Sequence, residues 1–93
     1  MRLSQDEIKA IKETIQSFDS EAKIWLYGSR VDNHKRGGDI DLLIFSQTLN
    51  FSDKLKIKSQ LYKKIGEQKI DLLIAKDDRK PFVRIALENA ILL

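Results

Sequence analysis

Apolar and polar positions alternate along this chain in two rhythms. Ile8, Ile11, Ile15 and Phe18 recur at helical spacing and give one apolar stripe. Just ahead of them, Ser4-Gln5-Asp6-Glu7 has the form of a capping box, so the pattern predicts a first helix near 5–18. Ile24 to Tyr27 is a short apolar run that stops at a glycine and reads as a strand. Residues 28–38 form a loop with room for a helical turn at 29–32. Ile40 to Phe45 is a second strand, apolar enough to be central. Ser52-Asp53 can open a second long helix, with Leu55, Leu61, Tyr62 and Ile65 on one broad face and Gly66 to end it. Ile70 to Ala75 is a third strand and Asp77-Asp78 a turn. Pro81 fits the first turn of a last helix, with Phe82, Ile85, Ala86 and Asn89 on its inner side. Ile91-Leu92-Leu93 finishes as a short extended piece. The order α-β-α-β-α-β-α predicts an α/β (α+β) fold, a small mixed sheet flanked by helices. With 93 residues, it reads as one domain, 1–93.

An internal echo changes this plain picture. Ile40-Asp41-Leu42-Leu43-Ile44 recurs as Ile70-Asp71-Leu72-Leu73-Ile74. Each copy puts an aspartate at the start of an otherwise apolar strand. Side chains alternate across a strand, so Asp39 and Asp41 share a face that Leu43 and Phe45 continue. Ile40, Leu42 and Ile44 line the other face. A strand–helix–strand connection favours a parallel crossover, and in-register strands would set Asp41 beside Asp71, about 5 Å apart backbone to backbone. Three carboxylates so gathered repel one another, by about 4 kcal/mol per pair at 4 Å and an effective dielectric near 20. A divalent cation would offset that charge. Hard oxygen ligands without a histidine cluster point to magnesium or manganese over zinc. Against this stands the ordinary use of aspartates to start strands and cap turns, and Asp71 is the most open to that reading.

Gly28-Ser29 follows the first strand directly, and glycine there lets the backbone turn sharply and approach a ligand. A helical turn at 29–32 would offer free N–H groups to a phosphate, helped by the Ser29 hydroxyl and by the charge of Arg30. Alone, Gly-Ser is a plain turn with a capping serine. The joint order of strand, Gly-Ser, basic loop and Asp-x-Asp is what points to a site. Gly37-Gly38 lets the loop return to Asp39. His34, Lys35 and Arg36 are read as facing water, and no role falls to them. Trp25 and Tyr27 alternate with Ile24 and Leu26, and core or partner contact is expected of them.

Composition narrows the field. The chain has no cysteine, which excludes disulfides and thiolate metal sites. No apolar run approaches the roughly 20 residues of a membrane span, and the polar stretch Met1 to Lys12 is no signal peptide, so a cytoplasmic protein is expected. Seventeen Lys+Arg against 14 Asp+Glu leave a net charge of +3, which suits an anionic ligand without demanding one. The lysines at 54, 56, 58, 63 and 64 read as a solvated helix face. Nucleic acid is a poor fit: few aromatics can stack bases, and the acids would repel a phosphate backbone.

Leu26-Tyr27-Gly28-Ser29-Arg30, with Gly38-Asp39-Ile40-Asp41-Leu42-Leu43-Ile44 and Ile70-Asp71-Leu72 after it, resembles the signature of the polymerase-beta-like nucleotidyltransferases. The nearest branch is the minimal nucleotidyltransferases of bacteria and archaea. The resemblance spans essentially the whole chain. It implies that Gly28 and Ser29 hold a nucleoside triphosphate, that Asp39 and Asp41 bind two metals, and that Asp71 completes the site. Nine residues separate Ser29 from Asp39, one fewer than the commonest form. Larger members carry a second helical domain; in the minimal branch its role falls to a separate helical protein of the HEPN type. The resemblance thus implies an antitoxin of a toxin–antitoxin pair that moves AMP from ATP onto a tyrosine of that partner. Two magnesium ions would serve it, with manganese as a substitute. The rival reading is a non-catalytic module that binds nucleotide or simply covers its partner. A homodimer or hetero-oligomer is compatible with both, as are the apolar residues Leu92-Leu93.

Overall fold

In a computed structural model, which describes residues 1–34 and 37–93, the chain forms a four-stranded sheet with three α-helices. Helix α1 covers Gln5–Phe18, strand β1 Lys23–Tyr27, β2 Ile40–Phe45, helix α2 Phe51–Ile65, β3 Ile70–Ala75, helix α3 Pro81–Leu87 and β4 Ile91–Leu92. A single 3-10 turn, Gly28–Val31, stands where a helical turn was expected. The strands lie in the order β3-β2-β1-β4. β2 and β3 are parallel, while β1 runs antiparallel to both β2 and β4, so the sheet is mixed as the sequence order suggested. The parallel pair is in register, with Asp41 opposite Asp71.

Local chemistry explains where the helices start and stop. Ser4 and Glu7 form the reciprocal capping box read from the sequence. In α2 the cap is Asn50, answered by Asp53, two residues ahead of the expected Ser52 start. Gly66 ends that helix at a φ of 88°, a conformation that glycine adopts without steric cost.

The two faces of the sheet are covered unequally. Ile24 and Leu26 of β1, Ile40, Leu42 and Ile44 of β2, and Ile70 and Leu72 of β3 pack beneath α1 and α2 in the main core. On the other face, Leu43 meets Val83 and Ala86 of α3, with Trp25, Tyr27, Phe45 and Leu73 around them. That face also carries the aspartates. α3 is only seven residues long, so the end of the face beyond Leu43 stays uncovered.

Two expected helix faces are corrected. In α2, Ile57 and Leu61 are buried and Leu55 is exposed. Residues 57, 61 and 65 follow i, i+4, i+8 spacing, and position 55 falls roughly 200° around the helix from 57. In α3 the inward residues are Val83, Ala86 and Leu87, at i, i+3, i+4 spacing, while Phe82 and Ile85 are exposed. Asn89 lies past the end of this helix, at a φ of 61°, and is exposed.

Candidate metal and nucleotide site

β2 and β3 both begin on the open face, and their register gathers the three carboxylates. Asp39, Asp41 and Asp71 each present an oxygen within 4.8 Å of the others. Asp41 is half-buried and Asp71 exposed. The Asp41 carboxyl is pushed above the usual aspartate range, first by burial, then by the charges of Asp71 and Asp39 and by a hydrogen bond shared with Asp71. The same two effects raise the Tyr27 phenol, which feels Asp41 and Asp71.

A positive partner was not foreseen, yet one is present. Lys69 Nζ lies 3.4 Å from Asp39 Oδ2, and its own ionisation is pushed up by that contact. The signal was legible: Lys69 precedes Asp71 by two residues and so falls on the same side of the strand. Its side chain is 71 % exposed, so solvent screens the pair, and the charges of Asp71 and Asp39 still act on Asp41 beside the effect of its burial. An all-oxygen donor set whose negative charge one lysine only partly offsets fits a hard divalent cation, and among the described residues this is the one such cluster.

Gly28 closes the site from the β1 side. Tyr27 pairs with Asp41 across the antiparallel ladder, which places the turn at the carboxylates. Gly28 has a φ of 75°, and a Cβ there would collide with Asp41 Oδ2. Gly38 behaves alike: its φ is 89°, and a Cβ would collide with Ser29 Oγ. Thus the two ends of the loop, Ser29 and Gly38, meet beside the acids.

Arg2 and Arg30 clamp this loop from outside. Arg2 donates from Nε to Asp32 O at 2.9 Å, from one terminal nitrogen to Gly37 O at 2.6 Å and from the other to Ser29 O at 2.8 Å. Arg30, expected to add charge at a phosphate, donates to Gly38 O, Arg2 O and Gln68 Oε1, which engages three of the five N–H groups of its guanidinium. Gln68 in turn donates to Glu7 Oε2 and to Ile65 O. Glu7 therefore serves the loop as well as its helix cap. Sequence reasoning missed Arg2 and Gln68 because hydrogen bonds across 27 to 61 residues leave no local spacing to read. His34 is exposed, as expected. Lys35 and Arg36 lie outside the described residues.

Residues 9–93 match the family model described as Polymerase beta, Nucleotidyltransferase. The chain belongs to that family. Membership, together with the geometry, gives this nucleotidyltransferase domain an acidic triad able to bind metal, set on the paired strand starts. No curated protein matches the chain. No helix among the described residues is long and apolar enough to cross a membrane.

Proposed function

We propose that this nucleotidyltransferase moves AMP from ATP onto the hydroxyl of a tyrosine in a helical, HEPN-type partner protein, as the antitoxin of a toxin–antitoxin pair in the cytoplasm. The observation that carries the catalytic part is the convergence of Asp39, Asp41 and Asp71 within 4.8 Å beside the Gly28 turn. A stability role would not require three carboxylates to share so small a volume, because their repulsion opposes folding.

Asp39 and Asp41 would hold two magnesium ions, one shared with Asp71, supplying charge neutralisation on the phosphates and a more acidic acceptor hydroxyl. Gly28 lets the triphosphate approach the backbone, and Ser29 offers a hydroxyl donor. A single 3-10 turn exposes few N–H groups, so the hydroxyl and the cations carry more of the phosphate binding than a long helix would require. Arg30 and Arg2 act by holding the loop still. The acceptor oxygen bonds to the α-phosphorus as the bond to the β-phosphate bridge breaks. Asp71, exposed at the strand start, takes the hydroxyl proton, and pyrophosphate leaves.

The test is label transfer. The protein is mixed with the product of a neighbouring reading frame, magnesium and ATP labelled at the α-phosphate, alongside an Asp39→Asn, Asp41→Asn control. Label on the neighbour with intact acids alone is the expected result. A tight complex without transfer for any nucleotide would instead establish the module that neutralises its partner by covering it.

A further inference from the structure

We propose that the groove between the Gly28 turn and α3 seats the base of the nucleotide. This inference rests on the nucleotidyltransferase reading and adds to it a place for the part of the substrate that the carboxylates do not hold.

The groove has a volume of about 570 Å³, within the range of small-molecule sites. Tyr27 and Gly28 form one wall, and Phe82 and Ile85 of α3 form the other. Phe82 and Ile85 are 59 % and 62 % exposed, on a helix whose opposite side is already packed on Leu43. Packing of the fold therefore accounts for Val83 and Ala86 and leaves Phe82 and Ile85 without a structural task. The groove is continuous with the acidic site, because Gly28 lines the one and abuts Asp41 in the other. A nucleotide with its phosphates at the acids has its remaining half within reach of this space; a smaller cavity of about 380 Å³ also borders the acids through Lys69, but among the described residues Tyr62 is the one aromatic that lines it, where the groove has Tyr27 and Phe82.

Charge decides which half enters. Among the described residues, the carboxylates lining the groove are Asp32 and Glu88, and no cation lines it. Two carboxylates repel a polyphosphate, whereas they accept hydrogen bonds from the exocyclic amine of a neutral base. Tyr27 and Phe82 supply aromatic faces on which a base can stack, a contact that carries little sequence preference by itself.

Calorimetric titration of magnesium–ATP and magnesium–tripolyphosphate into the wild-type protein and into Phe82→Ala separates base from phosphate. Phe82 is exposed, so the variant keeps its fold, which thermal unfolding verifies. The expected result is a roughly ten- to hundredfold weaker affinity for ATP with tripolyphosphate unchanged. Unchanged ATP affinity would overturn the inference and leave the groove to a protein segment or to solvent. Equal losses for both ligands would overturn it too, by placing the phosphates there. A wild-type protein that binds neither ligand would remove the nucleotide reading itself, an outcome distinct from the other two.

Discussion

Asp41 is the residue at which stability and chemistry conflict. It is half-buried, faces two other carboxylates, and is only partly offset by the charge of Lys69, whose ion pair is with Asp39. Neutralising it should therefore help the metal-free fold and harm the site. Asp41→Asn is expected to unfold at a higher temperature than wild type at pH 7 without metal, and to lose the further rise that magnesium gives the wild type. Thermal unfolding with and without magnesium reads both effects. Arg2 presents the opposite case, a residue distant in sequence from the acids that serves them through geometry. Its planar guanidinium reaches three carbonyls at once, and the single nitrogen of a lysine cannot. Arg2→Lys keeps the charge, and is nevertheless expected to weaken magnesium–ATP binding by about tenfold (about 1.4 kcal/mol). A lysine variant that binds as wild type would show that positive charge, and not the clamp, is what matters at that position.

The elements were legible in proportion to how local their causes are. The α1 boundaries and its capping box followed from Ser4, Glu7 and one apolar stripe. The parallel crossover and its register followed from two copies of one strand motif. Helix rotation was less legible where several apolar residues competed for the inner face. In α2 the sequence pattern puts Leu55 on the inner face, whereas Ile57 takes that place, packed in one cluster with Ile11 and Ile15 of α1. Ile57→Ala is accordingly expected to cost about 2–5 kcal/mol, while Leu55→Ala should change stability by no more than about 0.5 kcal/mol. Urea unfolding of the two variants measures the contrast, and a loss at Leu55 as large as or larger than that at Ile57 would contradict this packing of α2. In α3 the same ambiguity concealed Phe82 and Ile85, whose exposure emerges only once Val83 and Ala86 are seen against Leu43.

Across the whole molecule, extents of 35 × 32 × 17 Å describe a thin slab, with two helices behind the sheet and one short helix in front. A helical layer behind gives the sheet its core, and the partial cover in front leaves the strand starts accessible. The carboxylates, the Gly28 turn and the α3 groove all open on that front, so a single substrate can span them. A site this open suits an acceptor presented by another macromolecule, because few walls of the chain's own enclose it. The most direct test of the central claim is a calorimetric titration of ATP into the wild-type protein and into the Asp39→Asn, Asp41→Asn variant, with and without magnesium. Binding that requires both magnesium and the intact aspartates is the expected result. Binding of equal strength in the variant, or binding indifferent to magnesium, would contradict the assignment of these carboxylates as the metal and nucleotide site.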